Sequence, residues 1–506
     1  SMIARSLRTL MLLCVGLPAF SLTSSADDSP VAILSSELDQ FLGNGYSFVG
    51  TIQPRHAREI KSSNWSIGAE TMDRDFTVYK NWKEHLGPLG AKKARIQSGW
   101  AKTEKEVGKY DWAWVDEIVL DMVEQGVEPW VCLCYGNPLY PGGGDTGLGG
   151  GLVASEQALQ AWERYVTAFV ERYKDHVDEW ELWNEPRSGL GKGTVQYGDF
   201  VIRTAEAIRK LQPDAEILFA AGGSFHPVFA REVLEHLQVK DKLHLVNAII
   251  YHPYAYNPDS RQAAAMELRR MAQSFAPHID IRQGENGAPS RPGSFGAISK
   301  YEWTEENQAK WATRRLLGDL GRDIPSSYFA ICDMRYPDRI NFKGLLAINP
   351  DRTVHHKKLA YSTVQHITAL FDDTVQRDKE FRVAIDGTAG ESEFAVFGYR
   401  GSQGGAIVTL WRSDETPGKD PELQWVKLTV EDHEFECPVW VDLLTGRVYE
   451  MGADLWATAD GNTVFSQLAV YDSAVVIAER MEIERLLQPA KSTDRDVAPH
   501  GPTLES

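Results

Sequence analysis

The stretch that decides the fold lies at residues 179–186, which read Glu179-Trp180-Glu181-Leu182-Trp183-Asn184-Glu185-Pro186. It begins as a short run rich in Trp and Leu and ends in polar residues closed by a proline. A longer segment with helical periodicity follows at 197–211. A short strand that ends in polar residues and leads into a helix is one unit of a parallel βα fold.

The same unit repeats along the chain on both sides of that stretch. Strands are predicted at 66–70, 94–97, 128–134, 179–183, 216–221, 246–251, 279–283 and 327–332. Helices are predicted after them at 76–86, 112–125, 155–176, 197–211, 228–237, 261–275, 305–320 and 358–371. Eight units in about 310 residues predict an α/β fold of the (β/α)8 TIM-barrel type. An open doubly wound sheet is the alternative, but no Gly-x-Gly-x-x-Gly motif opens a helix after an early strand.

Beyond residue 371 the helical periods give way to short alternating strands between Gly, Asp and Pro turns. These strands are predicted at 381–385, 393–399, 406–411, 424–430, 439–442, 448–450 and 473–479. They indicate an antiparallel β-sandwich. The predicted order is an N-terminal extension at 27–59, which can add a strand to the sandwich, a catalytic barrel at 60–376, the sandwich at 377–482 and a disordered tail at 483–506.

The N-terminus has the layout of a secretory signal peptide. Ser1 and Met2 read as an expression scar, and two arginines then precede an apolar run at 9–20. Small residues follow, so we expect cleavage after Ala26 and a secreted or periplasmic protein. The apolar run is about a dozen residues, whereas a bilayer span needs about 20. A membrane partner is therefore not expected. The net charge of −18 also disfavours a nucleic-acid partner.

Two glutamates stand at the ends of predicted strands. Glu185 ends the fourth strand and Glu285 ends the seventh, 100 residues later. Three barrel units of about 31–33 residues account for that spacing, so both carboxylates are expected at one pocket mouth. Such a pair suits hydrolysis of a glycosidic bond, because one carboxyl protonates the leaving oxygen while the ionised one attacks or activates water. Asn184 is positioned to bind a sugar hydroxyl beside the scissile bond.

With these motifs the chain resembles the clan A glycoside hydrolases, which are retaining enzymes. The resemblance covers roughly residues 60–375 and rests on Trp183-Asn184-Glu185-Pro186 and Gly284-Glu285-Asn286. A barrel followed by a sandwich is most similar to family 39, which contains exo-acting β-xylosidases, with families 5 and 42 as competitors. The resemblance implies that Glu185 is the general acid/base and Glu285 the nucleophile, with no metal and no cofactor.

The resemblance also assigns supporting residues. Arg95, on the second strand, matches the arginine that supports the nucleophile, where a cation lowers the pKa of the carboxyl group. His252 and Tyr254 match the His-x-Tyr pair that orients the nucleophile and binds sugar hydroxyls. Many clan members have a Trp at the end of the eighth strand as the floor of the sugar site, whereas residues 328–333 contain none.

Three further residues are candidates for sugar contact. Asn137 follows the third strand and either binds sugar or forms a turn. Trp100 and Trp303 are candidates to wall or line the subsites, where walls favour exo action and an open groove favours endo action. The Gly-rich segment 141–151 is either a loop that approaches the ligand or an unstructured insertion.

The expected function is therefore that of a secreted retaining β-glycosidase. Its expected substrate is an oligosaccharide or polysaccharide of plant or microbial origin, cleaved from the chain end in the manner of a β-xylosidase or β-galactosidase. The alternatives are an endo-acting glycanase, a transglycosidase on the same barrel, and a catalytically silent sugar-binding barrel. The sequence selects neither a particular sugar nor an oligomeric state.

Overall fold

The computed structural model describes residues 29–187, 189–386 and 393–490. The predicted signal peptide at 1–26 and the last part of the predicted tail, 491–506, lie outside these residues. The described chain opens with helix α1 (Pro30–Leu42) and strand β1 (Tyr46–Ile52). Ser29 caps α1 by accepting a hydrogen bond from the Ala32 N–H at 3.2 Å, and Pro30 suits the first helical turn.

A closed barrel of eight parallel strands follows. Its strands are β2 (Trp65–Gly68), β3 (Lys93–Gln97), β4 (Glu128–Leu133), β5 (Glu179–Leu182), β6 (Glu216–Ala220), β7 (Ala248–Tyr251), β8 (Asp280–Asn286) and β9 (Ser326–Tyr328). Each strand pairs with the next, and β9 pairs with β2. The predicted (β/α)8 barrel is therefore confirmed, and its closure excludes the open sheet.

Helices connect the barrel strands. They are α2 (Tyr79–Trp82), α3 (Trp100–Thr103), α4 (Ala113–Glu124), α5 (Glu156–Tyr173), α6 (Lys192–Leu211), α7 (Pro227–Val239), α8 (Gln262–Phe275), α9 (Glu305–Leu320) and α10 (Leu359–Leu370). The helix predicted at 76–86 is reduced to the single turn α2, because no side chain caps it and Gly87-Pro88 redirects the chain. Within the described ranges, no helix has the length and apolar character needed to cross a membrane.

The eighth barrel unit carries an insertion on the catalytic side. Between β9 and α10 lie two hairpins, β10 (Met334–Arg335) with β11 (Ile340–Asn341), and β12 (Leu346–Ile348) with β13 (Val354–Lys357). The loop that follows β8 is bonded to the first of them, since the Phe295 N–H donates to the Ile340 carbonyl at 2.8 Å. The strand predicted at 327–332 is accordingly shorter than expected.

The remaining strands form the β-sandwich. They are β14 (Gln376–Arg377), β15 (Arg382–Asp386), β16 (Phe394–Arg400), β17 (Ala406–Arg412), β18 (Gln424–Glu431), β19 (Pro438–Asp442), β20 (Arg447–Met451), β21 (Trp456–Ala459), β22 (Asn462–Val470) and β23 (Val475–Glu479), then helix α11 (Arg480–Ile483) and β24 (Leu487–Pro489). The sheet orders are β14-β16-β17-β23-β19-β20-β1-β24 and β15-β18-β22-β21, and neighbours in both are antiparallel. Buried residues of both sheets, among them Val408 and Leu428, share one core.

Both ends of the described chain belong to the larger sandwich sheet. Strand β1 pairs with β20 on one side and with β24 on the other. The extension predicted at 27–59 therefore does add a strand to the sandwich. The tail predicted from residue 483 differs from the structure, because residues 483–490 continue through β24.

An ion pair of the barrel is hydrogen-bonded to groups of the sandwich. The Arg314 guanidinium of α9 is fully buried and lies 2.7 Å from the Asp259 carboxylate, in the loop after β7. The same carboxylate accepts a hydrogen bond from the Trp411 indole of β17 at 3.0 Å. The Ser413 carbonyl of the sandwich accepts from Arg314 at 3.1 Å and from Asn257 at 2.9 Å. The two domains are therefore joined by hydrogen bonds among partly buried polar groups around the fully buried Arg314 guanidinium.

Breaking this pair should destabilise the whole chain. In Asp259→Ala the guanidinium stays buried without its carboxylate, so we expect a loss of about 3 kcal/mol in the free energy of unfolding. Glu106→Ala is the matched control, because it removes an exposed ion pair with Lys109 and should leave stability unchanged. Chemical denaturation of the three proteins measures the difference, and equal stabilities would contradict a structural role for the pair.

Candidate active site

The turn after β5 holds Glu185 in an uncommon backbone conformation. Trp183 and Glu185 have φ angles of 73° and 44°, in the left-handed region that non-glycine residues seldom occupy. Each such residue costs on the order of 1–3 kcal/mol, and strain of this kind concentrates at functional sites. The Trp183 ring is held in place by edge contacts with Trp162 and Phe200, at centroid distances of 5.9 and 5.6 Å.

Glu285 lies where the end of β8 departs from regular pairing. The register between β8 and β9 shifts between Gln283 and Asn286, and such irregularities re-aim side chains at the rims of barrels. One carboxylate oxygen of Glu285 accepts a hydrogen bond from the Tyr254 hydroxyl at 2.8 Å. The other accepts from the Arg95 guanidinium at 3.1 Å.

Arg95 is the fully buried cation at the base of this cluster. Its Nε and Nη2 atoms bind the Glu181 carboxylate in a bidentate pair, both at 2.8 Å. Nη2 also donates to the Asn184 side-chain oxygen at 2.8 Å, and Nη1 donates to Glu70 at 2.9 Å and to Glu285. All five N–H donors of the guanidinium therefore have acceptors, and three of its partners are carboxylates.

His252 lies between the two predicted catalytic glutamates. Its Nδ1 atom is 2.8 Å from an oxygen of Glu185 and 3.7 Å from an oxygen of Glu285. One oxygen of each carboxylate and a ring nitrogen of His252 all lie within 4.8 Å of one another. The two acids, which are 100 residues apart in the sequence, thus face each other with an oxygen of each within 4.8 Å of the other.

The charges around Glu285 keep it ionised. Burial favours the neutral carboxyl, but the positive charges of His252 and Arg95 and the hydrogen bond from Tyr254 together lower its pKa below the ordinary value. Burial likewise disfavours a charged His252, yet the neighbouring carboxylates of Glu285 and Glu185 raise the pKa of the imidazole. A carboxylate that is ionised and partly stripped of water is suited to nucleophilic attack.

Glu70 is the third carboxylate around Arg95 and behaves differently. It is buried, and one of its oxygens has no hydrogen-bond partner among the described residues. Burial and the nearby negative charge of Glu285 outweigh the attraction of Arg95, which raises the pKa of Glu70 to about 7. The single cation is therefore shared unequally, since Glu285 is held ionised while Glu70 approaches neutrality.

The structure brings five of the predicted residues together, namely Glu185, Glu285, Arg95, His252 and Tyr254. Asn184 joins them, but its amide is tied to protein groups, to Arg95 and to the Tyr135 hydroxyl at 2.7 Å. Asn137 is instead a turn residue, because its side chain bonds the Leu139 N–H at 3.0 Å and the Glu104 carbonyl at 2.9 Å.

The prediction that Trp100 and Trp303 wall or line the subsites is corrected by their burial. Trp100 is fully buried and stacks between Tyr140 and Tyr165. The indole N–H of Trp303 donates to the Ile298 carbonyl at 2.7 Å, and only 1% of its surface is exposed. The ring faces of Trp100 are covered by these tyrosines and the indole N–H of each tryptophan is bonded within the protein, so both side chains serve packing.

Several residues of the site were not predicted from the sequence: Glu70, Glu181, Tyr135 and Lys343. Glu181 could have been predicted from strand alternation. Glu179 and Glu181 lie on one face of β5, and Trp180 and Leu182 lie on the other. Arg95 of β3 lies on the same face as the two glutamates. Glu70 could have been predicted too, as an acid at the end of the first predicted strand. Nothing in the sequence around Lys343, which follows β11, indicates that this lysine is buried.

Glu185, His252 and Glu285 are also the group of side chains best placed to hold a metal ion among the described residues. The same carboxylates already face Arg95 and His252, whose pKa is raised. Additional positive charge at this point would be repelled. The chemistry of the donor set therefore favours acid–base and nucleophilic work by the carboxylates themselves.

Comparison with known proteins adds evidence on the fold. No family model and no curated protein matches the sequence. A family 39 glycoside hydrolase from the gut symbiont Bacteroides cellulosilyticus WH2 superposes with a TM-score of 0.58 at 18% identity, over 82% of this chain and 80% of that one. The chain shares the fold of these enzymes.

Two further solved structures lead to the same conclusion. A monomeric β-xylosidase from Caulobacter crescentus CB15 matches with a TM-score of 0.54 at 14% identity, over 85% of this chain and 97% of that chain. A family 30 endoxylanase from Clostridium papyrosolvens C71 matches with a TM-score of 0.52 at 11% identity, over the same shares. The barrel and the sandwich together, and not the barrel alone, are therefore common to these proteins and this chain.

The raised pKa of Glu70 predicts a pH-dependent stability. A carboxyl whose pKa rises on folding contributes stability that is present below its unfolded-state pKa near 4.5 and is lost as the pH rises through about 7. Glu70→Gln stays neutral at every pH. We therefore expect the variant to gain stability relative to the natural chain between pH 5 and pH 8, measured by denaturant unfolding. A stability difference that is the same at both pH values would contradict a near-neutral Glu70.

Proposed function

We propose that this protein is a retaining β-glycosidase that hydrolyses O-glycosidic bonds by double displacement. The observation that carries the proposal is the approach of the Glu185 and Glu285 oxygens to within 4.8 Å. Retaining enzymes have carboxyl groups about 5–5.5 Å apart, whereas inverting enzymes need about 6.5–9.5 Å to admit a water molecule. Likeness of fold to glycoside hydrolases supports the same reaction class.

In the first half of the reaction Glu285 attacks the anomeric carbon. Its carboxylate oxygen forms an ester with that carbon, and the bond to the glycosidic oxygen breaks. Glu185 gives its proton to the departing oxygen, so the aglycone leaves as a neutral alcohol. Arg95 and Tyr254 hold the attacking carboxylate by its two oxygens, which fixes its orientation before the substrate arrives.

In the second half Glu185 acts as a base. It removes a proton from water, whose oxygen attacks the anomeric carbon as the ester to Glu285 breaks, and the product keeps the β configuration. His252 fits both halves, because a protonated imidazole donates a hydrogen bond from Nδ1 to an oxygen of Glu185 whether that carboxyl is ionised or neutral. The imidazole thus keeps Glu185 oriented while its protonation state changes.

Partly exposed aromatic rings supply a sugar platform in place of the missing tryptophan. Tyr336 packs against Phe76 at a centroid distance of 4.3 Å and against Phe295 at 5.2 Å. The negative charge of Glu285 acts on the Tyr336 hydroxyl, which together with burial raises its pKa. Because Tyr336 lies in the insertion after β9 on the catalytic side, we propose that this aromatic cluster forms a wall on one side of the sugar site, which favours action at chain ends.

Secretion and the substrate source belong to the same proposal. The signal-like residues 1–26 support export to the periplasm or the medium. There the enzyme would meet oligosaccharides and polysaccharides of plants or microbes. Aryl β-xylosides and β-galactosides are the first substrates to test, since one solved structure of similar fold is a β-xylosidase.

Azide distinguishes the roles of the two glutamates. In Glu185→Ala an activated aryl glycoside still forms the intermediate, and azide then attacks it from the side that the acid vacated, giving a β-glycosyl azide. In Glu285→Ala no ester forms, and azide attacks the substrate from the opposite face, giving an α-glycosyl azide. We expect turnover without azide to fall by at least about 1,000-fold in Glu285→Ala. Proton NMR of the products identifies each anomer.

A matched control is available on the same face of the barrel. Glu302→Ala removes an exposed carboxylate of the loop after β8, paired with Lys419, and should leave turnover unchanged. Exchanged azide anomers would reverse the two roles, and an inverted hydrolysis product would make Glu285 a base for water. If no aryl β-glycoside were turned over by the natural chain, the sugar-binding barrel without catalysis would be the better description.

The hydroxyl of Tyr254 should affect turnover only through its hydrogen bond to Glu285. Tyr254→Phe removes a hydrogen bond that favours the ionised carboxylate, so kcat/KM should fall on the order of 100-fold. The pKa of Glu285 should rise, moving the acidic limb of the pH profile upward. Tyr251→Phe is the matched control, because that buried hydroxyl has no partner among the described residues and its removal should change neither quantity. Identical profiles for both variants would contradict this role.

A further inference from the structure

Lys343 is a buried cation next to the proposed nucleophile. It follows β11, in the insertion after β9, and only 1% of its surface is exposed. Its ammonium group has one hydrogen-bond partner among the described residues, the Phe295 carbonyl at 3.4 Å. No carboxylate of those residues forms an ion pair with it. The ammonium is therefore removed from water without the partner that such a group normally has.

This arrangement is costly for folding. Burial lowers the pKa of Lys343 to about 7, and the Glu285 carboxylate opposes that shift only in part. The other buried lysines differ, since Lys358 binds Asp333 at 2.6 Å and Lys310 lies 3.1 Å from Asp472. A buried charge without a partner beside the proposed nucleophile indicates a functional site.

A second donor converges on the same point. The nitrogen atoms Nζ of Lys343 and Nδ2 of Asn341 lie 3.2 and 3.4 Å from the position that a Cβ on Gly296 would occupy. The oxygen of the Asn341 amide accepts from the Lys343 backbone N–H at 3.1 Å, which fixes the orientation of the amide. Its Nδ2 has no hydrogen-bond partner among the described residues. The two nitrogens therefore lie near each other beside Gly296, close enough for the two oxygens of one carboxylate to accept a hydrogen bond from each.

The position of the lysine relates this pair of donors to the sugar. Its Nζ lies 5.7 Å from the centre of the Tyr254 ring, and the hydroxyl of that ring binds Glu285. Glu285 must reach the anomeric carbon, which is separated from C5 of a pyranose only by the ring oxygen. A group attached to C5 would thus lie close to the same ring. In a hexuronic acid, the substituent on C5 is a carboxylate.

We propose that Lys343 and Asn341 bind the carboxylate of a hexuronic acid in the sugar site, so that the enzyme prefers β-uronides to neutral β-glycosides. This inference rests on the proposed glycosidase function and adds the substrate class. The bound carboxylate supplies the counter-charge that Lys343 lacks, in a place where water competes little. A neutral sugar leaves the ammonium without a partner, and that difference produces the selectivity.

Two other cations near the mouth, Arg74 and Arg95, already have carboxylate partners. Arg74 lies 3.2 Å from the Asp73 carboxylate and donates to the Gln97 side chain at 2.8 Å. Arg95 is fully used by its carboxylates and by Asn184. Among the buried cations around Glu285 in the described chain, Arg95 and His252 have carboxylate partners and Lys343 has none, which leaves its charge for a ligand.

The experiment compares pairs of substrates that differ only at C5. The natural chain is assayed with 4-nitrophenyl β-glucuronide against the β-glucoside and β-xyloside, and with the β-galacturonide against the β-galactoside. We expect kcat/KM for a uronide to exceed that of its neutral counterpart at least 10-fold. A 6-O-sulfated glucoside or galactoside is included, because a sulfate ester is the other common anionic group on sugars.

Variants then test the residues. Lys343→Met keeps the length of the side chain without its charge, and Asn341→Asp keeps the oxygen that binds the Lys343 N–H while adding a negative charge. In both, the ratio of uronide to neutral kcat/KM should fall on the order of 100-fold. Lys300→Met, an exposed lysine of the loop after β8, is the matched control and should leave the ratio unchanged. Thermal melting verifies that each variant is folded.

The outcomes separate this inference from the proposed function. Turnover of neutral glycosides without preference for a uronide would overturn the inference and leave the glycosidase function intact. A parallel loss on both substrate classes in Lys343→Met would overturn it as well, because the lysine would then act only through Glu285. Preference for the sulfated sugar would contradict the carboxylate assignment. No turnover of any glycoside by the natural chain would overturn both proposals.

Discussion

The structure of the site depends on one constraint, the burial of the Arg95 charge among three carboxylates. A guanidinium without water needs acceptors for all five of its N–H groups, and Glu70, Glu181, Glu285 and Asn184 supply them. One positive charge cannot balance three negative ones in a medium of low dielectric constant. The carboxyl groups therefore differ in protonation state, because the pKa of Glu285 is lowered whereas that of Glu70 is raised to about 7. Glu285, the proposed nucleophile, stays ionised because it is the better stabilised of these two carboxyl groups.

The competition of these carboxyl groups for one cation also explains why a second cation near Glu285 is informative. Lys343 lowers the pKa of Glu285, but less than His252, Arg95 and the Tyr254 hydrogen bond do. A lysine that contributes little to the nucleophile and loses much by its own burial is poorly explained as support for Glu285. Binding of an external anion accounts for both its depth and its lack of a partner. In the proposed function the barrel strands carry the reaction, and in the proposed substrate preference the insertion after β9 provides the selectivity.

The sequence predicted those parts of the molecule that follow from local periodicity. Eight strand–helix units define a barrel, and the ends of strands define its mouth, so Glu185 and Glu285 were both identified. Burial of individual side chains is a different matter, because Trp100 and Trp303 have the residue type of a sugar wall and are nonetheless inside. Strand β24 was missed because its partner β1 lies more than four hundred residues away. Lys343 was missed for the same reason, since its depth arises from long-range packing.

The sandwich contributes to the site through the segment that carries His252 and Tyr254. Helix α9 binds this segment at two carbonyls, with Arg315 donating to Pro253, between the two residues, at 3.4 Å and Trp311 to Ala255, just after them, at 3.1 Å. Further along, the side chains of Asn257 and Asp259 are held by groups of β17 and the residue that follows it. A loop fixed at four successive points has little freedom to move. The hydroxyl that orients the nucleophile is thus placed by contacts from both domains, which gives a physical reason for the barrel and the sandwich to occur together.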